Sequence, residues 1–141
     1  MVQWCLNKAK KELEKGMKHR GLIKIKANDE LARKFIKKAG HNLQAFIDNK
    51  KLKHYDWTIN MGFYVMYHCC LAIITKFGYE SRNQECTLAL IENFIEEKKI
   101  EEGFRKYIDA ITSDADDEGL IMAMREKYQY TPIVEIDIKK V

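Results

Sequence analysis

His68, Cys69 and Cys70 are the residues best suited to chemistry, because imidazole and thiolate groups bind metals and transfer protons. They are adjacent in a stretch that is typical of a helix, so their side chains point about 100° apart and cannot converge on one metal ion. We therefore predict that His68 serves packing and that the two cysteines fill apolar space. His68 remains a candidate for proton transfer only if a partner approaches it.

An acidic run, DADDE at residues 114–118, is the other cluster that could hold a metal. It lacks the loop spacing of a calcium-binding hand, and its place at the start of a predicted helix is explained by capping and by the helix dipole. The chain has no glycine-rich phosphate loop, G-x-S-x-G or H-E-x-x-H motif. We predict no metal and no cofactor, and the residues alone do not identify an activity.

The four cysteines are Cys5, Cys69, Cys70 and Cys86, and they contain no C-x-x-C pair. The first sixteen residues are charged from Lys8 onward, so they have no apolar segment of the kind that signal peptides carry. These two features predict a reducing, cytoplasmic location and no structural disulfide.

Residues 57–77, WTINMGFYVMYHCCLAIITKF, are the most apolar stretch of the chain. Apolar residues fall on more than one helical face, which is typical of a buried helix. The uninterrupted apolar part, residues 61–74, is shorter than the roughly 18–20 residues that span a bilayer. We predict the central helix of a soluble bundle with no membrane contact, in which Gly62 allows another backbone to approach closely.

The rest of the chain also favours helix, because it is rich in Lys, Glu, Ala, Leu and Ile and holds one proline. Its Lys and Glu content also fits a thermophile. Residues 22–26 are predicted to be an extended connector and residues 77–83 a loop. Residues 130–141 alternate like a strand, whose partner would be either that connector or another chain. Helices are predicted at residues 2–19, at 28–50 with Asn28 or Asp29 as the cap, at 55–77, at 84–98 with Ser81 or Asn83 as the cap, at 100–111 and at 113–128.

Positive charge is concentrated in the first part of the chain. Residues 1–40 hold twelve Lys and Arg against four Asp and Glu, whereas the remaining residues hold thirteen against seventeen. This basic arm is suited to nucleic acid or to an acidic partner, and the alternative is a solvated helix face. His19, His41 and His54 lie in polar surroundings and are predicted to be exposed.

The central stretch resembles the HEPN domain family, whose small archaeal and bacterial branch has a helix of similar pattern. The resemblance rests on the run GFYVMYHCCLAII at residues 62–74 and on Gly78-Tyr79-Glu80-Ser81, which is similar to the G-Y/F-x-S loop of the family. Residues 31–46 are similar to the family's first helix, with its A-x-x-N-L pattern. The resemblance covers about residues 28–130.

The resemblance implies an antiparallel four-helix bundle, often a homodimer, and a neighbouring minimal nucleotidyltransferase in a toxin–antitoxin pair. Active members are metal-independent ribonucleases that use an Arg followed a few residues later by a His. The best counterpart here is Arg125, but the sequence Glu126-Lys127-Tyr128-Gln129-Tyr130 follows it and contains no histidine. Tyrosine has an ordinary pKa of about 10 and is a poor proton shuttle at neutral pH.

We therefore predict a single all-α domain, with a bundle at residues 28–130, a basic extension at 1–27 and an extended tail at 131–141. The predicted function is non-catalytic binding of a partner protein, a nucleotide or RNA, through Arg20, Lys24, Arg82 and Asn83. The predicted partners are a second copy of the chain and a nucleotidyltransferase. The alternative is a ribonuclease that uses Arg125 with a substitute acid, for which the candidates are Tyr128, Tyr130 and His68.

Overall fold

The computed structural model describes residues 1–112, and these residues are mostly helical. The predicted helix at 113–128 and the predicted strand-like tail lie outside the described residues. The described residues form five α-helices, two short strands and one 3₁₀ turn: α1 Val2–Glu14, β1 Leu22–Lys24, α2 Asp29–Lys51, α3 Tyr55–Lys76, β2 Tyr79–Ser81, α4 Gln84–Glu96, the 3₁₀ turn Glu102–Phe104 and α5 Arg105–Thr112.

The chain divides into two compact units. The first unit holds Met1–Ile36 and Cys69–Arg105, and the second holds Lys37–His68 and the chain from Lys106 onward. The first unit contains the strands together with α1 and α4, and the second contains the aromatic part of α3.

Helix α1 ends earlier than residue 19, where the apolar pattern predicted its end. Gly16 has a φ of +73°. Its N–H donates to the Leu13 carbonyl, and the N–H of Met17 donates to the Glu12 carbonyl at 3.0 Å. This is the Schellman arrangement, in which a glycine in the left-handed region closes the last turn of a helix. The glycine therefore ends the helix, and Cys5 and Ala9 remain as its buried residues.

Cys5 and Cys86 form a disulfide, so the prediction of no structural disulfide was wrong. The two residues are 81 positions apart, on α1 and in the first turn of α4, and a pairing over such a distance leaves no local spacing motif. Both cysteines are fully buried, and Cys69 and Cys70 are free thiols.

The predicted connector is extended, as expected, and its first residues form β1. Its partner is β2, which lies within the segment predicted to be a loop, so that prediction was wrong. The strands are antiparallel, with Leu22 opposite Ser81 and Lys24 opposite Tyr79. Each strand has only three residues, which is too short for a period-2 pattern to stand out in the sequence.

Gly78 ends α3 and introduces β2, as the sequence predicted for the helix end. Its φ is +87°, a conformation that favours glycine. A Cβ at this position would lie 2.9 Å from the Ile25 carbonyl oxygen. The same two residues are joined by a hydrogen bond of 2.8 Å from the Ile25 N–H to the Gly78 carbonyl.

In the second unit, α3 buries Phe63 completely and Tyr67 almost completely, and their rings stack with centroids 5.8 Å apart. Gly62 faces the ring of Phe46, 3.3 Å from the position of its missing Cβ. The prediction of a close backbone was therefore wrong, because the space is taken by an aromatic side chain. Helix α3 is also not buried along its whole length, since Trp57 is 58% exposed.

Within residues 1–112, one helix is long and apolar enough to cross a membrane. It is α3, Tyr55–Lys76, and half of its apolar window is buried inside the structure. Length and composition alone do not separate a spanning helix from the core helix of a soluble bundle.

The predicted helices at residues 84–98 and 100–111 are present as α4 and, after the 3₁₀ turn, α5. Asn83 caps α4, and its side-chain oxygen accepts from the Cys86 N–H at 3.1 Å. Asn28 caps α2, since its side-chain oxygen accepts from the Leu31 N–H at 2.9 Å. Buried α4 side chains such as Leu88, Ile91 and Phe94 fill the interior of the first unit.

We expect the double variant Cys5→Ser, Cys86→Ser to unfold with a free energy roughly 4–5 kcal/mol lower than the wild type, because the disulfide closes a long loop in the unfolded chain. Urea titration followed by circular dichroism measures the change. A reductant should destabilise the wild type and leave the double variant unaffected. Under denaturing conditions without reductant, two thiols should react with Ellman's reagent, and four reactive thiols would contradict the disulfide.

Candidate nucleic-acid interface

The centre of the candidate site is a buried histidine, His19, which the sequence predicted to be exposed. It is only 3% exposed, because β2 brings Glu80 over it. The Nε2 of His19 lies 2.6 Å from Oε2 of Glu80, and the Gly21 N–H lies 3.3 Å from Nδ1. Since Nδ1 accepts this hydrogen bond, we assign the proton to Nε2, which donates to the carboxylate. His41 and His54 are exposed, as predicted.

Three of the four predicted binding residues come together beside this pair, at a surface that we call the arginine corner: Arg20, Arg82 and Asn83. The backbone N–H of Arg82 donates to the Gly21 carbonyl at 3.1 Å. The side-chain amide of Asn83 donates to the Arg20 carbonyl at 3.3 Å. Both arginines are exposed. The fourth residue, Lys24, stands at the other end of β1, roughly 10 Å along the strand.

The arginine corner is held by polar contacts at the start of α4. Thr87 donates its hydroxyl proton to the hydroxyl of Ser81 at 2.7 Å, and Ser81 donates to the Asn83 carbonyl at 3.0 Å. Asn83 caps the helix with its oxygen, so this side chain positions the corner and has its amide oxygen already engaged. Arg82 keeps a long contact with Glu80, 3.8 Å from Nε to Oε2.

Glu12 joins the arginine corner to α1. One of its carboxylate oxygens accepts from the Arg20 N–H at 2.9 Å, and the other pairs with the ammonium of Lys8 at 3.1 Å. The backbone hydrogen bond from Arg20, followed by the contact with Lys8, lowers the pKa of Glu12 below its usual value. Glu12 is therefore a carboxylate that is already neutralised by its neighbours.

The outer side of α1 carries a feature that the sequence analysis missed. Trp4 is 54% exposed, and it stands on the same helical face as Lys8, Lys11 and Lys15, at spacings of four, seven and eleven residues. An open depression of about 370 Å³ lies along this face. The spacing was visible in the sequence, but no role was predicted for Trp4. The depression is lined by Trp4, Asn7, Lys8, Lys11 and Glu12.

His68 lies in the second unit and is partly buried. Its Nδ1 is 2.8 Å from the Tyr64 carbonyl and 3.1 Å from the side-chain amide nitrogen of Asn42. The carbonyl requires a donor and the amide nitrogen requires an acceptor, so Nδ1 serves one of them at a time. This nitrogen is thus used inside the fold, which supports the packing role predicted for His68.

The free cysteines are poor nucleophiles. Burial raises the pKa of Cys69, and burial together with the neighbouring Cys69 raises the pKa of Cys70 to about 12. Because the thiolate is the reactive form, neither thiol is activated at neutral pH. Among residues 1–112, no group of three or more His, Cys, Asp or Glu side chains could hold a metal ion.

The family model of the HEPN domain matches residues 32–135, about three quarters of the chain. The chain belongs to the HEPN domain family. No curated protein and no solved structure matched it. The predicted family and the all-α, HEPN-like fold are therefore confirmed, and membership indicates a module related to nucleotides or RNA.

The family match does not decide the predicted site. The catalytic candidates Arg125, Tyr128 and Tyr130 lie outside the described residues and remain predictions. The arginine corner of this HEPN chain combines Arg20, which precedes the matched region, with Arg82 and Asn83, which lie inside it.

We expect Glu80→Ala to lower the free energy of unfolding by about 1–3 kcal/mol, because the buried N–H of His19 would lose its acceptor. Glu80→Gln keeps an acceptor oxygen and should retain most of the stability. Glu14→Ala, at an exposed position of α1, serves as the control and should stay within about 0.5 kcal/mol of the wild type. Thermal and urea unfolding measure all three, and an equal loss for Glu80→Ala and Glu80→Gln would contradict the proposed contact.

Proposed function

We propose that this HEPN chain is a non-catalytic module that binds RNA through the arginine corner and the basic extension before it. The observation that carries the proposal is that the backbones of Arg20 and Arg82, which are far apart in sequence, lie next to each other at one end of the strand pair, and that both side chains are exposed. Arginine presents planar donor groups that match the oxygens of a phosphate. Family membership supports a nucleotide- or RNA-related role, and the uneven charge favours a polyanion.

The acidic residues beside the arginine corner do not oppose this function. Glu80 accepts from His19, and Glu12 accepts from the Arg20 backbone and pairs with Lys8. Because these carboxylates are already engaged by donors, their repulsion of a phosphate is reduced. Arg82 also lies 3.8 Å from Glu80, which offsets part of its charge, and both guanidinium groups are exposed to solvent.

The absence of catalysis is proposed from the sequence after Arg125 and from two of the four histidines. His19 is buried against a carboxylate, and Nδ1 of His68 is engaged within the fold. A ribonuclease would need a proton donor near the scissile phosphate, and this chain has a tyrosine where the histidine of the family is expected. Cleavage by Arg125 with Tyr128, Tyr130 or His68 is the competing function.

Homodimerisation is part of the proposal and is supported by the outer face of α2 in the second unit. Leu43 and Ile47 are 47% and 37% exposed, and no atom of residues 1–112 lies within 4 Å of the missing Cβ of Gly40. An apolar strip with an open glycine suits close contact with another helix. A nucleotidyltransferase partner is supported by the family resemblance alone. A location in the cytoplasm, away from membranes, is also proposed, because the proposed ligand is RNA.

We expect the purified protein to bind single-stranded RNA at low salt, with an affinity that falls as salt is raised. The double variant Arg20→Gln, Arg82→Gln should weaken binding and reduce the slope of log affinity against log salt by about 1.4, because two phosphate contacts are lost. Lys50→Gln, Lys51→Gln removes the same charge from the end of α2 and should leave the slope unchanged. Absence of RNA binding at low salt would refute the proposal.

Incubation of the protein with a mixed RNA pool should leave the RNA intact over hours. A chelator in the incubation inhibits contaminating metal-dependent nucleases, and gel electrophoresis shows whether the RNA is cleaved. Cleavage by the wild type that disappears in an Arg125→Ala variant would overturn the non-catalytic proposal and establish the ribonuclease.

A further inference from the structure

We propose that the outer face of α1 is a stacking site for single-stranded nucleic acid, with Trp4 holding a base and Lys8, Lys11 and Lys15 following the backbone. We call these four residues the α1 stripe. The proposal rests on the proposed RNA-binding function and names the surface that would distinguish unpaired from paired strands. Exposed bases stack on aromatic side chains whatever their sequence, while a row of cations tracks the phosphates.

The geometry of the helix sets the α1 stripe in a line. Positions 4, 8, 11 and 15 recur every three or four residues, so they fall on one face and extend over about 16 Å. The depression of about 370 Å³ beside Trp4 is comparable in size to small-ligand sites, although it is open along the helix.

The exposure of Trp4 is not explained by the packing of α1. The helix buries Cys5 and Ala9 on its inner side, whereas Trp4 lies on the side that carries the lysines. A single exposed apolar residue on a surface needs no explanation by itself. Here, however, the residue is the largest of the side chains and it borders a depression. Three lysines continue its line: Lys8, which is paired with Glu12, and then Lys11 and Lys15.

The arrangement of apolar and basic residues around α1 favours nucleic acid over a membrane. A helix that lies in a membrane surface separates its apolar and basic residues onto opposite faces. In α1 the tryptophan is among the lysines, and Leu13, which is nine residues from Trp4, points about 180° away. The apolar inner side of the helix is also fastened to α4 by the Cys5–Cys86 disulfide, so it is not available for insertion.

The α1 stripe is fixed before any ligand arrives. The disulfide anchors the residue next to Trp4, and Glu12 ties Lys8 and the Arg20 backbone together at the other end of the helix. Preorganised side chains lose less freedom on binding. Because Glu12 contacts Arg20, a strand that leaves the α1 stripe can continue onto the arginine corner.

The two tryptophans of the chain, Trp4 and Trp57, allow a direct test. In Trp57→Phe, the fluorescence of Trp4 alone is recorded while oligouridylate or oligodeoxythymidylate of about ten nucleotides is added at low salt. We expect saturable quenching with either strand. Trp4→Phe, which leaves Trp57 as the only reporter, should bind without quenching. Duplex RNA of equal length should quench Trp4 far less.

Matched variants separate stacking from simple charge. Trp4→Leu keeps an apolar side chain without an aromatic ring and should weaken oligouridylate binding roughly 5- to 150-fold, whereas Trp4→Phe should retain most of it. Lys11→Gln, Lys15→Gln should lower the salt slope by about 1.4, and Lys50→Gln, Lys51→Gln should not change it. Circular dichroism and a thiol count confirm that each variant is folded with its disulfide closed.

The outcomes distinguish this inference from the proposed function. If RNA binds but Trp4 is not quenched and Trp4→Leu binds normally, the α1 stripe is refuted and the arginine corner stands. If neither RNA nor DNA binds, both proposals fail. If phosphatidylserine–phosphatidylcholine vesicles quench Trp4 and oligonucleotides do not, the α1 stripe is a membrane contact and the inference is overturned.

Discussion

The disulfide between Cys5 and Cys86 is the constraint on which both candidate surfaces depend. It joins α1 to the first turn of α4, and the arginine corner is built from the residues that lead into that turn. Without it, α1 would be held to the first unit by the burial of Cys5 and Ala9, by its packing against β1 and Gly21, and by contacts of Glu12. A helix of thirteen residues is only marginally stable by itself in water, so a covalent tie matters more here than it would for a central helix.

The same disulfide changes the argument about location. The prediction of a cytoplasmic protein rested partly on the absence of structural disulfides, and that premise is wrong. Persistent disulfides belong to oxidising compartments, to redox-active proteins or to the cytosol of hyperthermophiles. The Lys and Glu content of the chain is in accord with the last of these, so a cytoplasmic location and a closed disulfide are compatible in a thermophile.

The sequence was most informative where structure is encoded locally. The apolar stretch around Phe63 predicted α3, the cap at Asn83 predicted α4, and Gly78 predicted the end of α3, because periodicity and backbone conformation act within a few residues.

The sequence was uninformative where partners are distant in the chain. The pairing of Cys5 with Cys86, of β1 with β2 and of His19 with Glu80 each joins segments at least 55 residues apart. Burial of His19 could not be deduced from its polar neighbours, since its partner arrives only with β2. At the site, Arg20, Arg82 and Asn83 were singled out by residue type, and their binding role stays a prediction. Only the tertiary structure shows that their backbones lie side by side.

Family membership and the binding surfaces occupy different parts of the chain, and this difference shapes the interpretation. The match begins at residue 32, after the whole α1 stripe, Arg20 and Lys24. The match therefore covers the helical scaffold, whereas the net positive charge lies on the segment that precedes it. Residues 1–31 hold eight Lys and Arg against four Asp and Glu, and the remaining residues hold seventeen against seventeen. Arg82 is the exception, and its backbone N–H contacts Gly21 of that segment through the strand pair. The strand pair thus has a role beyond its small size, because its register aligns the basic segment that precedes the match with residues inside the match. Its hydrogen bonds and the disulfide fix that segment at two points, so the exposed residues of α1 are held in place without any part in the core of the bundle.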